Sequence, residues 1–174
     1  MSKITKTLMM SAVVALGTTG VALASDVLPK DNAEFEKWGE ESGWNIFVDK
    51  SRDACLIERM DENKNVVQMG LTKDKEFGYI GVFTLEPVDL SDGKLHLSLD
   101  GKKYWGESTV APKRLVGGYT GGYRLANNPN FVDDVMKKYV MTVEPEDANT
   151  FEISLDGTFK AIEKARECND AVGS

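Results

Sequence analysis

The sequence predicts a mainly β fold, an antiparallel β-sandwich or barrel-like domain with one N-terminal helix and two C-terminal helices. Short segments rich in aromatic and β-branched residues recur between turn-forming residues, as they do in antiparallel sheets. Residues 95–99 alternate leucine with polar residues and lead into Asp100-Gly101, a pair that favours a tight hairpin. Apolar residues at helical spacing are confined to a few short segments.

Residues 1–24 differ from the rest of the chain and predict a Sec-type signal peptide. Lysines precede an uncharged stretch over residues 8–23, which ends in an Ala-Leu-Ala motif typical of cleavage sites. A membrane anchor is the alternative, but glycine and threonine interrupt the apolar run at residues 17–20, and a spanning helix needs about 20 mostly apolar residues. We expect cleavage after Ala24. Residues 25–174 then form a single disulfide-closed β-rich domain, periplasmic or secreted, with no integral membrane segment.

The beginning of this domain predicts a short helix. Asp31 stands three residues before Glu34, a spacing that can cap a helix running through Glu41. Phe35 and Trp38 would lie on one side of it. This is the N-terminal helix of the predicted fold.

Strand-like segments follow the helix. They are rich in aromatic and β-branched residues and cover residues 44–49, 54–60, 65–72 and 77–85. The polar turn at residues 61–64 joins the second and third segments into a hairpin. Gly78 and Gly81 in the last segment predict a strand that is bent or bulged at the glycines.

Residues 95–105 carry the clearest local pattern, a hairpin that turns at Asp100-Gly101. Asp-Gly supplies the positive φ angles that such a turn requires. The leucines of this stretch are expected to face the core. His96 and Ser98 are then expected on the opposite side, because successive side chains alternate across a strand.

Two Gly-Gly-Tyr units form the most unusual local motif. They comprise Gly117, Gly118, Tyr119, Gly121, Gly122 and Tyr123. A phosphate-binding loop is disfavoured, because the glycines are not followed by Lys-Ser or Lys-Thr in a strand-to-helix context. The pattern is typical of a flexible turn or a glycine-bent edge strand with exposed tyrosines. Since tyrosine on a pliable backbone also suits recognition, these residues are the candidate partner-binding residues.

The C-terminal third combines helices with a strand pair. An Asn-Pro pair predicts the start of a helix over residues 129–139. Residues 140–143 and 150–155 predict two strands, and a last helix begins after Gly157. The apolar stripe of that helix comprises Phe159, Ile162, Ala165 and Cys168.

The two cysteines, Cys55 and Cys168, lie in a chain predicted to be exported, where disulfides persist. We expect them to be joined. The alternatives are two free thiols or a catalytic nucleophile, which would need a partnering histidine, and the chain has only His96. The cysteines also lack the C-x-x-C spacing of redox sites.

Composition and charge limit the class of protein. The 174 residues are 41% hydrophobic and 28% charged, which is typical of one globular domain. With 21 basic and 28 acidic residues, the chain has a net charge of −7. A nucleic acid or an anionic membrane surface is therefore not expected as a partner, because binding either needs a basic face.

The sequence offers no complete catalytic or metal-binding constellation. Asp61, Asn63 and Asn65 resemble the start of a calcium loop, but Val66 stands where glycine is needed and Thr72 where a bidentate glutamate is needed. A single histidine and two cysteines do not supply a usual zinc site, and no Gly-x-Ser-x-Gly elbow occurs. We predict no catalytic residues, no metal site and no cofactor.

The signal-like N-terminus, the segment from Trp44 to Asp49 with Cys55 close behind it, and the ending at residues 151–162 together resemble a known family. The chain is similar to the invasion-associated locus B family of exported bacterial proteins. The resemblance implies an envelope-located β-sandwich, associated in some bacteria with host-cell entry. It brings no catalytic residues.

These observations favour a non-enzymatic role. We expect an envelope binding or structural protein whose partner is a protein or another envelope component, contacted around Tyr119 and Tyr123. The alternative is a periplasmic inhibitor of a secreted hydrolase or lysozyme, since small β-domains can offer a loop to an active site. An enzyme would instead need a deep pocket holding a carboxylate with a perturbed pKa.

Overall fold

The structure, a computed structural model, describes residues 28–29, 33–71, 78–86, 96–104, 108–110, 117–126, 130–144 and 150–173. The signal peptide predicted over residues 1–24 lies outside these ranges. In chain order the elements are β1 (Phe35–Glu41), β2 (Trp44–Asp49), β3 (Ala54–Met60), β4 (Val66–Leu71), β5 (Gly78–Thr84), β6 (Leu97–Leu99), β7 (Lys102–Tyr104), β8 (Ser108–Val110), β9 (Thr120–Ala126), α1 (Asn130–Lys137), β10 (Val140–Val143), β11 (Phe151–Ser154) and α2 (Thr158–Val172). Neither helix of these ranges has the length and apolar character needed to cross a bilayer.

The strands form two antiparallel sheets. The large sheet has the order β1-β2-β3-β4-β5-β9-β8, and the small sheet has the order β11-β10-β6-β7. Every pairing between neighbouring strands is antiparallel in the described chain. Both sheets and both helices contribute to one buried apolar cluster. The mainly β fold and the two C-terminal helices are therefore confirmed.

Alternation along the strands gives the large sheet two distinct faces. Its inner face packs against the small sheet and the helices. The residues of this face include Trp44, Ile46, Ile57, Val67, Ile80 and Val82, all buried. The indole Nε1 of Trp44 donates a hydrogen bond to the carbonyl oxygen of Asp156 at 3.0 Å. This bond ties β2 to the segment that leads into α2.

The prediction of an N-terminal helix through Glu41 is wrong for residues 35–41, because Phe35–Glu41 is the strand β1. Ser42 and Gly43 have φ angles of 51° and 80°, the conformation of a two-residue hairpin turn. This turn folds β1 back along β2, so backbone pairing between strands outweighs the weak capping pattern. Asp31, which began that pattern, lies outside the described residues.

Strand β1 stands at the edge of the described large sheet and is irregular at its middle. The register of its pairing with β2 shifts between Lys37 and Gly39, which places Trp38 in a β-bulge. Trp38 is 38% exposed, and the ammonium nitrogen of Lys164 in α2 lies 5.5 Å from its ring centroid.

The hairpin predicted at residues 61–64 is confirmed by the antiparallel pairing of β3 with β4. Its turn is held by Asp61, whose Oδ1 accepts from the backbone nitrogen of Asn65 at 2.8 Å. Asp61 Oδ2 accepts from Asn65 Nδ2, also at 2.8 Å. The Asp-x-Asn-x-Asn stretch therefore closes a turn with its own side chains.

The hairpin predicted at Asp100-Gly101 is also confirmed. These residues have φ angles of 44° and 82° and join β6 to β7. Leu97 and Leu99 are buried, as expected, but Ser98 is buried too. Both sides of β6 are therefore covered.

The strand predicted over residues 77–85 is β5, but a bulge at its glycines, one of the two predicted irregularities, is wrong. Its register with β4 and with β9 is unbroken from Gly78 to Thr84. Gly81 instead leaves space for the ring of Tyr123.

The last helix begins at Thr158, and its buried face differs from the predicted stripe. The buried residues are Thr158, Ala161, Ala165, Cys168 and Asn169, whereas Phe159 is 56% exposed. A strict spacing of three residues drifts around an α-helix, while spacings of three and four together stay on one face. Ala165 and Cys168 therefore keep their predicted place and Phe159 does not.

The predicted disulfide is confirmed and joins β3 to α2. Cys55 and Cys168 have Cα atoms 6.0 Å apart and are separated by 113 residues. Beside the bridge, Asn169 Oδ1 accepts from the backbone nitrogen of Cys55 at 2.8 Å, and Asn169 Nδ2 donates to the carbonyl oxygen of Ala165 at 3.0 Å. Helix α2 is thus held on the large sheet by the disulfide and by the hydrogen bond between Asn169 and Cys55.

Candidate functional site

The outer face of the large sheet, on the side away from the helices, is ordered in rows that run across β3, β4, β5 and β9. Backbone pairing aligns Leu56-Gly70-Tyr79-Leu125, Glu58-Gln68-Gly81-Tyr123 and Met60-Val66-Phe83-Gly121. A Cβ at Gly70 would lie 2.7 Å from the hydroxyl oxygen of Tyr79, and one at Gly81 would lie 2.5 Å from a ring carbon of Tyr123. The two tyrosine side chains therefore occupy space that the glycines leave free.

Tyr79 belongs to a buried ion-pair cluster next to the end of β2. Arg52 Nε donates to Asp49 Oδ2 at 2.6 Å, with both side chains almost fully buried. Arg52 Nη2 donates to the hydroxyl oxygen of Tyr79 at 2.8 Å, and Nη1 donates to the carbonyl oxygen of Leu71 at 2.9 Å. Burial raises the pKa of Tyr79 to about 12 against the opposing charge of Arg52. Tyr79 is therefore a neutral, structural group at physiological pH.

Tyr123 is held within the sheet as well. Its hydroxyl donates to Gln68 Oε1 at 2.7 Å, and Gln68 Nε2 donates to Glu58 Oε2 at 2.8 Å. Its ring meets those of Tyr79 and Phe83 edge to face, with centroids 5.5 and 5.1 Å apart. Burial is the main cause that raises the pKa of Tyr123.

The two Gly-Gly-Tyr units therefore lie in different environments. Gly117 and Gly118 form an exposed turn with φ angles of 87° and 85°, which only glycine adopts readily. Gly121 and Gly122 are buried in β9, which lies between β5 and β8, so the predicted edge strand is wrong. Close pairing of β9 with β5 explains why position 121 is a glycine, because a Cβ there would lie 1.9 Å from the carbonyl oxygen of Val82.

Tyr119 lies between these glycine pairs and is partly buried, as Tyr123 is. It packs against the cluster of Val66 and Phe83, at the end of the outer face. At this end Met60 is 54% exposed and Leu85 is 43% exposed. The hydroxyl of Thr120 donates to the carbonyl oxygen of Glu86 at 2.9 Å, which holds the chain beside Leu85 against β9. We call Gly117, Gly118, Tyr119, Met60 and Leu85 the Tyr119 surface.

A second polar cluster joins β7 to α1. Asp134 accepts a hydrogen bond from the hydroxyl of Tyr104, and its Oδ2 lies 2.8 Å from Lys102 Nζ. Hydrogen bonds from Lys102 and Tyr104 lower the pKa of Asp134, while burial raises the pKa of Tyr104. A carboxylate stabilised in its charged form is a poor general acid, so this arrangement suits the attachment of α1 better than proton transfer.

Arg124 is buried on the inner side of β9. Its Nη1 donates to the carbonyl oxygen of Tyr104 at 2.6 Å. Burial lowers the pKa of Arg124 to about 10, against the opposing influence of Glu144. Glu144 in turn accepts from the backbone nitrogen of His96 at 2.8 Å. This cluster also connects separate chain segments.

A cavity of about 80 Å³ lies between α1, α2 and the inner face of the large sheet. Its walls include Ile57, Met69, Phe131, Val135, Ile162 and Ala165. The cavity opens toward solvent beside Leu71, Val132 and Arg166, which are at least partly exposed.

Sequence reasoning did not find this cavity or the buried Asp49–Arg52 pair. An aspartate three residues before an arginine is common on exposed turns, and only the long-range approach of Tyr79 shows that this pair is buried. The cavity depends on how α1 sits beside α2, which hydrophobic periodicity within either helix does not specify.

Among the described residues, the structure contains no group of three or more His, Cys, Asp and Glu side chains arranged to hold a metal ion. Comparison of the chain with protein-family models, with curated proteins and with solved structures finds no match.

Proposed function

We propose that the chain is an exported, non-catalytic binding or structural protein of the bacterial envelope, built as a disulfide-closed β-sandwich. The Cys55–Cys168 disulfide is compatible with an oxidising compartment. The signal-like residues 1–24 and the resemblance to the invasion-associated locus B family support export and an envelope role.

One observation carries the proposal. Among the described residues, the buried ionisable side chains join separate elements of the fold, whereas the Tyr119 surface combines the partly buried ring of Tyr119 with the exposed thioether of Met60. Arg52, for example, bonds both Asp49 and Tyr79. Aromatic residues and methionine are enriched where proteins meet one another. A protein partner at the Tyr119 surface is the function that this arrangement supports best.

A photo-crosslinking amino acid at position 119 tests the proposal in intact cells. The matched control is position 139, since Tyr139 is a tyrosine that is 70% exposed elsewhere on the chain. We expect a discrete protein adduct from position 119 and none of the same mass from position 139. Identical adducts from both positions, or none from position 119, would contradict the assignment of the surface.

Substitution of the same residues tests the strength of the contact. Tyr119→Ala is expected to weaken capture of the crosslinked partner at least about tenfold, because aromatic anchors dominate many interfaces. Tyr139→Ala should leave capture unchanged. Tyr123→Phe, which keeps the ring inside the sheet, should also capture the partner normally. Unchanged capture by Tyr119→Ala would show that the contact lies elsewhere.

The periplasmic-inhibitor alternative uses the same surface and predicts a different partner. Purified domain should then slow one member of a panel of secreted proteases and lysozymes, and Tyr119→Ala should restore its rate. Capture of a partner without inhibition of any enzyme in the panel favours the binding or structural role.

A further inference from the structure

The methionines of residues 25–174 differ widely in their exposure, and the structure describes all of them. Met60 is 54% exposed, whereas Met69 is 7% exposed and Met141 is 0% exposed. Met136 is partly buried. Oxidants convert the thioether of methionine into a sulfoxide, and burial keeps them from the sulfur. Met60 is therefore the methionine of this part of the chain that is most open to oxidation.

The hairpin between β3 and β4 fixes the position of Met60. Met60 is the last residue of β3, and its backbone pairs with Val66 at the start of β4. The turn that follows is closed by Asp61, whose backbone nitrogen donates to the carbonyl oxygen of Asn65 at 2.9 Å. Alternation along β3 places Met60 on the outer face of the large sheet. The thioether therefore stands beside Val66 at the end of that face.

Val66 connects Met60 with Tyr119. It is 8% exposed and forms one apolar cluster with Phe83, against which Tyr119 packs. A sulfoxide at position 60 would therefore place a polar oxygen on the apolar Tyr119 surface. Because the Met60 side chain is exposed, this change removes little core packing. Oxidation of Met141 would instead place the oxygen inside the core.

We propose that Met60 is an oxidation site through which hydrogen peroxide weakens the binding of a protein partner at the Tyr119 surface. The thioether sulfur loses two electrons and gains one oxygen atom from the peroxide, which is reduced to water. A partner that packs against the sulfoxide buries an oxygen without a hydrogen bond, which weakens binding about tenfold. This inference rests on the proposed function, because it concerns the same surface.

Peptide mass mapping of the purified domain after treatment with limiting hydrogen peroxide tests the chemical step. We expect Met60 to gain oxygen at least about tenfold faster than Met69 and Met141, because its sulfur is accessible in the folded state. Thermal unfolding of the domain oxidised at Met60 should match that of untreated domain. Equal rates of oxidation at Met60 and Met141 in folded protein would overturn the proposal.

Photo-crosslinking from position 119 tests the effect on binding. The domain is oxidised, the peroxide is removed, and the yield of the protein adduct is compared with that of untreated domain. Oxidation should lower this yield about tenfold, and the two methionine sulfoxide reductases, one for each sulfoxide epimer, should restore it. Met60→Leu should keep its yield after the same treatment, because leucine is apolar and has no sulfur. Met136→Leu is the matched control and should lose yield as the wild type does.

The outcomes separate this inference from the proposed function. An unchanged yield once Met60 is fully oxidised, or equal losses in Met60→Leu and wild type, would overturn the inference and leave the Tyr119 surface as a binding site. Absence of any adduct from untreated domain would contradict the proposed function, and this inference with it.

Discussion

Most side chains on both the inner and the outer face of the large sheet's central strands are buried, but different interactions hold the two faces. The inner face is filled by aliphatic side chains, Trp44 and the Cys55–Cys168 bridge. The outer face depends on tyrosines that lie beside glycines and on the Asp49–Arg52 pair. An apolar core accepts changes that conserve volume, whereas a buried polar cluster fails when one partner is removed. The outer face should therefore be the more sensitive to single substitutions.

The largest expected effect lies on the inner face and concerns its covalent bond. Replacing both cysteines, Cys55→Ala with Cys168→Ala, should lower the free energy of unfolding by about 5 kcal/mol, because the bridge closes a loop of 113 residues. Urea denaturation of the variant measures the loss, and reduced wild-type protein should show a similar one. A loss below about 1 kcal/mol would mean that non-covalent packing alone fixes α2 on β3.

The next effect tests the outer face. Arg52→Met should cost about 3–5 kcal/mol, because it leaves the buried carboxylate of Asp49 without its cation. The matched control is Lys50→Met, which removes an exposed ion pair with Glu36 and should cause no measurable change. Chemical denaturation of both variants provides the comparison. Similar values for the two would contradict the burial of the Arg52 pair.

The third prediction concerns pH. Burial raises the pKa of Tyr79 from its ordinary value of 10.0 to about 12, so the folded state favours the neutral phenol. Its contribution is complete below pH 10, where neither state ionises, and is lost as pH rises toward 12. The loss should be roughly 2 to 3 kcal/mol. Unfolding free energies measured from pH 8 to 12 should fall less steeply in Tyr79→Phe than in wild type, and equal slopes would refute this assignment.

The smallest effect tests the space beside the outer-face tyrosines. Gly81→Ala should cost about 1–3 kcal/mol, since its Cβ would collide with the ring of Tyr123. Gly39→Ala is the control, because a Cβ at Gly39 meets nothing within 4 Å. Thermal unfolding of each variant gives the comparison. The double variant Gly81→Ala with Tyr123→Leu should lose less unfolding free energy than the sum of the two single variants, because Tyr123→Leu removes the ring with which the new Cβ collides.

The inner face could largely be predicted from the sequence. Strand segments, the Asp100-Gly101 turn and the pairing of Cys55 with Cys168 follow from local composition, from backbone preference and from the presence of only two cysteines. These signals work because they depend on residues that are close in sequence or on the count of cysteines. The capping pattern before Phe35–Glu41 predicts a helix from neighbouring residues alone, whereas the strand depends on pairing with β2, which that pattern does not include.

The candidate site could be predicted only in part. The Gly-Gly-Tyr repeat predicts a candidate segment, but it gives no sign that Tyr119 packs at the end of the outer face while Tyr123 is held over Gly81. That difference depends on register with β5, some 40 residues earlier in the chain. The cavity depends on the packing of two helices and had no local signal at all.

The bulge at Trp38 bears on how copies of this protein behave when they are crowded together. A flat, apolar border strand can serve as a template on which another chain extends the sheet, the first step toward fibrils. Here the border strand is kinked, and its exposed side chains include Glu36, Lys37 and Glu40. Lateral growth from β1 would have to straighten the kink and place these charged side chains against another chain, so this border protects the domain from self-templated aggregation.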